Sequence, residues 1–143
     1  MSRLLPLLAE LPGLDGLAPA DLAAVADGCQ ELQLRPGEVL FEEGADDPRV
    51  AILLRGRLTR MHRRRPTGSI DPGEIWGAVE ALHRTPHAEA IVAAERSQLV
   101  LLRASSLELL SLSHAPIGLA IQQAVVGALL DRMQALQRER GAP

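Results

Sequence analysis

The sequence predicts a mainly β fold: an antiparallel β-roll (double-stranded β-helix) with helices before it and a long C-terminal helix behind it. Two segments carry this prediction, 35–58 (RPGEVLFEEGADDPRVAILLRGRL) and 70–93 (IDPGEIWGAVEALHRTPHAEAIVA), because each alternates short apolar runs with glycine. That rhythm is typical of β-hairpins whose corners need positive φ. The third observation is an apolar stripe at four-residue steps within 116–138, which indicates a long helix.

Two short helices are expected in front of the roll. Leucines at helical spacing over 4–11 predict the first, and Pro12-Gly13 ends it. The second is expected to begin at Pro19, because proline suits the first turn of a helix. Its apolar side chains, Leu22 and Val25 among them, recur at roughly helical spacing and predict a buried face.

Strands and tight turns follow the two helices. Leu58 to His62 are expected to form a strand, and Arg63-Arg64-Arg65-Pro66-Thr67-Gly68 is a turn by composition. Two further strands are expected over 90–94 and 98–102, where the chain is again apolar. The roll therefore spans about residues 30–103.

The chain is predicted to end in two helices. Ser105 or Ser106 is expected to cap a short helix that runs to Leu110, and Pro116 is expected to open a long one that ends near Arg138. The long helix carries apolar side chains at four-residue steps: Ile117, Ile121, Val125, Leu129 and Met133.

The apolar stripe on the long helix is expected to be buried against another protein surface. A helix of about 22 residues extends roughly 33 Å, which exceeds the width of a small β core. We therefore expect the helix to pair with the same helix of another subunit in a homodimer, or to meet a downstream effector domain. Packing of the stripe on the chain's own core is the alternative.

Length and composition favour one domain over residues 1–143. A chain of this size buries enough surface for its own core, and 47% of its residues are hydrophobic. Cys29 is the single cysteine, so no intrachain disulfide forms and a reducing compartment is the simpler interpretation. No apolar run approaches the roughly 20 residues needed to cross a bilayer. We therefore expect a cytoplasmic protein that does not enter a membrane.

The net charge of −3 hides a basic segment. Residues 51–70 carry six Arg and no acid, whereas residues 1–50 carry ten acids and three Arg. A solvated arginine hairpin is the favoured interpretation, and contact with nucleic acid or an acidic partner is the alternative. Aromatic residues that could stack on bases are scarce, so nucleic acid is not expected to bind this chain alone. The sequence has no Gly-x-Ser-x-Gly elbow or phosphate-binding loop, which argues against an enzyme.

The order of elements and a set of short motifs resemble the cyclic nucleotide-binding domain family, the sensor module of the catabolite activator protein and of protein kinase A regulatory subunits. The motifs are Pro36-Gly37-Glu38-Val39-Leu40-Phe41, Glu43-Gly44, Gly56-Arg57-Leu58, Pro72-Gly73-Glu74 and Gly77. The resemblance covers about residues 4–138 and implies a regulatory sensor module that binds cyclic AMP or cyclic GMP inside the roll. The segment between Gly56 and Pro72 is several residues shorter than is usual in the family. Little more than a stub of one strand is therefore expected there.

In this family a phosphate-binding cassette holds the ligand, and it typically reads Phe-Gly-Glu-Leu-Ala-Leu, a short spacer and Pro-Arg-Ser/Thr-Ala-Thr. Its Glu accepts the ribose 2′-hydroxyl, its Arg pairs with the cyclic phosphate, and its Ser or Thr adds a hydrogen bond. In this chain Ala78 falls on the Glu, His87 on the Arg and Ala88 on the Ser or Thr. The resemblance implies a ligand pocket at these cassette positions: Trp76, Gly77, Ala78, Val79, Arg84, His87 and Ala88.

The three changed side chains predict that affinity for cyclic AMP and cyclic GMP is weak or lost. Removing one side of a desolvated charge pair costs about 2–5 kcal/mol, and a loss of about 4 kcal/mol weakens binding roughly 10³-fold. The backbone around Gly77 and the following helix N-terminus still favour an anion. No resident cofactor is predicted, and the candidate occupant is a cyclic nucleotide or another small anionic ligand. The alternative is a ligand-free scaffold for dimerisation or partner docking.

The charged residues of the cassette allow two further interpretations. Arg84 lies three residues before His87 and could supply a displaced phosphate ligand, although a loop arginine in solvent is the more common case. Glu80, His83 and His87 would share a helical face as metal ligands. Pro86 is expected to break that helix first, so no metal site is predicted.

Overall fold

The computed structural model describes residues 4–10 and 14–141 and shows two four-stranded antiparallel sheets with flanking helices. The strands are β1 (Gln30–Leu34), β2 (Val39–Phe41), β3 (Arg49–Arg55), β4 (Leu58–His62), β5 (Arg65–Ile70), β6 (Ile75–Trp76), β7 (Ala90–Ala93) and β8 (Ser97–Arg103). The helices are α1 (Leu5–Ala9), α2 (Pro19–Gly28), α3 (Ala78–His83), α4 (Ala104–Ser113) and α5 (Ala115–Gly141). One sheet has the order β1-β8-β3-β6 and the other β2-β7-β4-β5, so the predicted mainly β roll with flanking helices is confirmed.

Strand β3 separates two buried cores, because both of its faces are covered. Val50 and Ile52 pack with the helices, whereas Ala51 and Leu53 face the second sheet. This alternation follows from the two-residue period of a strand. We call the first cluster the helix-side core; its most buried members include Leu8, Val25, Leu107 and Ile117. We call the second the roll core; its most buried members include Phe41, Leu58, Ile70, Ile91 and Leu99.

Two of the predicted glycine corners are positions that no other residue would fill without strain. Gly56 has φ +98°, and a Cβ placed there would lie 2.5 Å from the carbonyl oxygen of Arg96. Gly77 has φ +91°, and a Cβ there would lie 2.7 Å from the carbonyl oxygen of Arg49. Both glycines therefore combine left-handed backbone with a close backbone approach.

The hairpin between Gly56 and Pro72 corrects two sequence predictions. Instead of a stub, the structure contains β4 and β5 as complete paired strands, and residues 65–68 lie in β5 rather than in a turn. The physical reason is the connection, in which Arg63 (φ 50°) and Arg64 (φ 67°) are the two residues between the strands and both have left-handed backbone. A two-residue turn of this kind needs no loop, so the short segment suffices for two strands.

The N-terminal helices agree with the sequence where they are described. Helix α2 begins at Pro19, which occupies its first turn. The predicted end of the first helix at Pro12-Gly13 lies outside the described residues.

The start of α4 differs from the prediction. Its N-cap is Arg103 rather than Ser105 or Ser106, and no side chain caps it. The Ala104 amide instead donates a hydrogen bond to the carbonyl oxygen of Pro48 at 2.9 Å, so the segment entering β3 satisfies that amide. The helix also continues to Ser113, three residues past the predicted end.

Helix α5 begins one residue before Pro116 and is buried at its start. Ile117 and Ala120 pack in the helix-side core, whereas Leu129 and Met133 are 39% and 56% exposed. Two members of the predicted stripe, Ile121 and Val125, have side chains outside the described set. The pairing of this helix with a second subunit stays a prediction. None of the helices in the described ranges is both long and apolar enough to span a membrane.

Candidate functional site

The predicted cassette begins where β6 leads into α3, between the roll core and the helix-side core. Trp76 ends β6 and pairs with Ala51 of β3, and Gly77 turns the chain into the six-residue helix α3. The Trp76 ring belongs to the roll core, but the side chain of Ala78, the next residue after the turn, packs in the helix-side core. The position that carries the Glu of the family motif therefore offers an apolar methyl group on the far side of β3.

His87 is held in the fold by three hydrogen bonds. Its side chain is 1% exposed, its ring stacks on Phe41 with centroids 4.1 Å apart, and its Nε2 lies 3.1 Å from the carbonyl oxygen of Asp47. A carbonyl oxygen only accepts, so Nε2 carries the proton and donates. The His87 amide donates to the carbonyl of Ala45, and the His87 carbonyl accepts from the amide of Gly44. The imidazole thus serves as a packed structural side chain.

One atom of the His87 ring has no partner. Nδ1 is buried and makes no hydrogen bond within the described part of the chain. With its proton on Nε2, the ring leaves Nδ1 as an acceptor. The single ring donor of His87 is therefore already engaged with the protein.

A charged pair fills the inside of the roll near Trp76. The Arg60 Nη1 atom of β4 lies 3.5 Å from Glu89 Oε1, and the guanidinium carbon lies 5.3 Å from the centroid of the Trp76 ring. The two charged side chains are only 19% and 13% exposed. Thr67 donates its hydroxyl to the other carboxylate oxygen of Glu89, and its carbonyl lies 3.5 Å from Arg60 Nη2. We call these four residues the roll quartet.

The strand register explains how the quartet assembles. Arg60 points to the same face of β4 as Leu58 and lies opposite Gly68 of β5. A side chain at Gly68 would overlap the Arg60 guanidinium, with a Cβ 2.8 Å from its central carbon. Glu89 lies two residues before Ile91, the residue that pairs with Arg60 across β4 and β7, so it reaches the same face. Gly68 leaves the space for the Arg60 guanidinium, and the pairing of β4 with β7 places the Glu89 carboxylate beside it.

The remaining cassette residues predicted from the sequence lie at separate places in the described part of the chain. Val79 is half-buried on α3, and Ala88 is exposed with its carbonyl oxygen 3.1 Å from His62 Nδ1. Arg84 follows α3 with φ 54° and lines a cavity outside the roll together with Arg49. Trp76 and His87 are therefore the two cassette side chains on the roll side. Contact of any of these seven residues with a ligand stays a prediction.

The sequence reasoning missed Arg60 and Glu89. A signal for Glu89 was present, because this residue stands where the family motif Pro-Arg-Ser/Thr-Ala-Thr has its alanine. A carboxylate in place of a methyl group, two residues before a buried strand position, indicates an altered pocket. Arg60 had no comparable signal, since it is one of six arginines in a basic segment.

The chain matches the family described as cyclic nucleotide-binding domain over residues 31–114. No curated protein matches it. Cyclic-AMP-bound PfPKA-R aligns with a TM-score of 0.76 and 21% identity over 97% of this chain and 46% of that one. A regulatory subunit of a cAMP-independent protein kinase A from Trypanosoma brucei gives 0.74 and 18% over 85% and 45%.

A third structure agrees with these two. A cyclic nucleotide-binding domain from Methylobacillus flagellatus KT aligns with a TM-score of 0.77 and 14% identity over 92% of this chain and 77% of that one. This chain spans less than half of the two kinase regulatory-subunit chains, and identities this low show the fold alone. The family match covers more than half of this chain and includes the glycine corners, the cassette and the strands of both sheets. The chain therefore belongs to the cyclic nucleotide-binding domain family.

Proposed function

We propose that this chain is a regulatory domain whose roll is filled by its own side chains, so that its affinity for cyclic AMP and cyclic GMP is weak or lost. The observation that carries the proposal is the Arg60–Glu89 pair, which lies against Trp76 inside the roll. We also infer that the domain acts by binding rather than by catalysis, as its family does.

Two features of the roll oppose cyclic-nucleotide binding. A cyclic nucleotide entering the roll would bring a negative phosphate near the Glu89 carboxylate and would have to separate Glu89 from Arg60. Removing one partner from a desolvated charge pair costs about 2–5 kcal/mol. The ligand would also meet His87 in place of the arginine of the family cassette. The ring of His87 offers no free donor, because its Nε2 already donates to the carbonyl oxygen of Asp47. Either effect alone reduces affinity by one to three orders of magnitude.

Two solved structures of this fold illustrate the range of behaviour that supports the proposal. PfPKA-R was solved with cyclic AMP bound, whereas the Trypanosoma brucei protein is a regulatory subunit of a cAMP-independent kinase. The fold is therefore found in regulatory subunits of both a cAMP-binding and a cAMP-independent type. We place this chain with the second type, on the basis of its own roll quartet.

Calorimetric titration at neutral pH tests the proposal. We expect the wild-type chain to show no binding of cyclic AMP or cyclic GMP below millimolar concentration, and we expect the fluorescence of Trp76, the single tryptophan, to stay unchanged. Micromolar binding of either nucleotide would contradict the proposal.

A graft of the family segment tests the cause of the weak binding. The triple variant His87→Arg, Ala88→Ser, Glu89→Ala restores Pro-Arg-Ser-Ala at positions 86–89, and we expect it to bind at least about 100-fold more tightly than the wild type. The matched control is His87→Arg, Ala88→Ser with Glu89 retained, which should stay weak. If both variants fold and bind equally, Glu89 is not what closes the roll.

A second candidate function is docking of a partner or a second copy through α5. The specific observation is the exposure of three apolar side chains on its second half: Leu129 (39%), Leu130 (52%) and Met133 (56%). We expect sedimentation velocity to show a dimer that Leu130→Glu, Met133→Glu converts to a monomer. A wild type that is still monomeric at a concentration of about 100 µM, at which a weak dimer is visible, would count against self-association.

A further inference from the structure

A cavity of about 600 Å³ lies outside the roll, where α3 ends and where β3 and α4 begin. Its size is within the range of small-molecule sites. Three arginines from three different elements line it: Arg49, Arg84 and Arg103. We call this space the arginine cavity, and it is separate from the roll quartet because its apolar wall includes Ala81 of the helix-side core.

Two of these arginines are brought together by the sheet. Arg49 at the start of β3 and Arg103 at the end of β8 are direct cross-strand partners. Like charges placed opposite each other destabilise a sheet unless something compensates them. Asp47 compensates Arg49, with Oδ1 and Oδ2 accepting from Nε at 2.8 Å and from Nη2 at 2.7 Å. This bidentate pair raises the pKa of Arg49 and lowers that of Asp47, and it leaves Arg103 uncompensated.

The third arginine adds to the excess of positive charge. Arg84 reaches the cavity from the residue after α3, in a left-handed conformation that is strained for a residue other than glycine. Neither Arg84 nor Arg103 forms a hydrogen bond or ion pair through its side chain with any residue that the structure describes. Glu108 is the remaining acid in the cavity lining, beside the Asp47 already engaged by Arg49. Three guanidinium groups thus face two carboxylates.

The backbone supplies further donors at the same place. Helix α4 begins at Ala104 with no side-chain cap and no acidic residue in its first turn. Ala104 donates to Pro48, but the next two amides, those of Ser105 and Ser106, have no acceptor within the helix. Ser105 also lines the cavity. These amides and the helix dipole reinforce the arginines in favouring a negative group.

We propose that the arginine cavity binds a small phosphorylated molecule as a dianionic phosphate monoester. Arg84 and Arg103 bind the phosphate oxygens through their guanidinium forks, and Ser105 with the first amides of α4 completes the site. Among the residues that the structure describes, the lining has no aromatic side chain that could stack on a base, which favours a phosphorylated metabolite over a nucleotide.

The position of the cavity gives such a ligand a structural consequence. It touches Ala81 and Arg84 at the cassette helix, and Ser105 and Glu108 on α4, the helix that leads into α5. A bound phosphate would therefore join the cassette helix to α4. This site does not depend on whether the roll binds a cyclic nucleotide.

The experiment uses glycerol 3-phosphate, a phosphate monoester, as the probe, and sodium chloride at matched ionic strength as the reference. Amide shifts are followed by NMR on the wild-type chain. We expect saturable binding with the largest shifts at Ser105 and Ser106. Arg84→Gln and Arg103→Gln should each weaken it about tenfold, and Glu108→Gln should tighten it. Arg65→Gln, which removes an exposed arginine from the hairpin, is the matched control and should change nothing.

The outcomes separate this site from simple charge attraction. Each variant is first checked for an unchanged unfolding temperature, so that a loss of binding is not a loss of fold. Equal weakening by Arg65→Gln and Arg84→Gln would overturn the proposal, because it would show screening by net charge alone. Amide shifts confined to residues 63–65 would also overturn the proposal. So would binding that does not saturate at a probe concentration of about 20 mM, which is near the limit for a specific site.

Discussion

Arg60 lies directly opposite Gly68 in the β4–β5 ladder, and its guanidinium occupies the space that a side chain at position 68 would fill. The same guanidinium contacts Glu89 and the Trp76 ring. A residue without a side chain on one strand thus allows a charge from the neighbouring strand to enter the roll. This arrangement distinguishes the interior of the roll from an entirely apolar core.

We expect Gly68→Ala to destabilise the protein by about 1–3 kcal/mol, because the new methyl group displaces Arg60 from Glu89. Urea unfolding followed by Trp76 fluorescence measures the change and also reports the altered surroundings of the ring. Gly16→Ala is the matched control, since nothing lies within 4 Å of a Cβ at that glycine. Equal free energies of unfolding for the two variants would show that Arg60 does not need the space.

We expect Arg60 and Glu89 to be energetically coupled. Glu89→Leu leaves a guanidinium largely buried without its carboxylate and should cost about 2–5 kcal/mol. The double variant Arg60→Leu, Glu89→Leu should cost less than Glu89→Leu alone, because two apolar side chains replace the pair. A double-mutant cycle on free energies of unfolding gives the coupling directly. Simple additivity of the two single changes would mean that the pair is not formed.

Substitutions in the turn between β4 and β5 are expected to raise the stability of the protein. Arg63 and Arg64 both have positive φ, a conformation that asparagine and glycine adopt at lower cost. Replacing them with Asn-Gly should raise the free energy of unfolding by about 0.5–2 kcal/mol. The control for the lost positive charge is Arg65→Gln, which removes an arginine from the same hairpin and leaves the turn unchanged. Arg57 does not serve as a control, because it pairs with Asp71. An unchanged urea midpoint would argue that the turn carries no strain.

The Asp47–Arg49 pair should make stability depend on acid pH. The hydrogen bond from Arg49 lowers the pKa of Asp47 below its usual range, so the folded state favours the carboxylate. Its contribution is complete above the unfolded pKa of about 3.9 and is lost as pH falls through the lower folded value. The difference in free energy of unfolding between wild type and Asp47→Asn should therefore be complete at pH 6 and should shrink as pH falls below about 3.9.

Asp46→Asn is the control for that experiment, because it changes an exposed neighbour of the same type. A difference between wild type and Asp47→Asn that stays constant from pH 6 to the lowest pH measured would contradict the role of the carboxylate.

The sequence predicted the corners of the roll because those positions are governed by local backbone geometry. Gly56 and Gly73 are glycines with positive φ, and their places in the chain mark turns whatever surrounds them. The apolar run from Val50 to Leu54 likewise predicts a strand, but only the structure shows that its alternate residues pack in different cores. The hairpin was predicted less well, because left-handed arginines at 63 and 64 are an unusual choice that composition does not reveal.

By itself, then, the sequence determined the mainly β roll and its glycine corners, and it predicts that the three polar side chains of the family cassette are absent. The tertiary structure decided what occupies those places. Arg60 and Glu89 are 29 residues apart, and only the pairing of β4 with β7 brings their charges together. The same holds for Arg49 and Arg103, which meet through the β3–β8 register. Long-range pairing determines which charges meet, and no local pattern of residues encodes it.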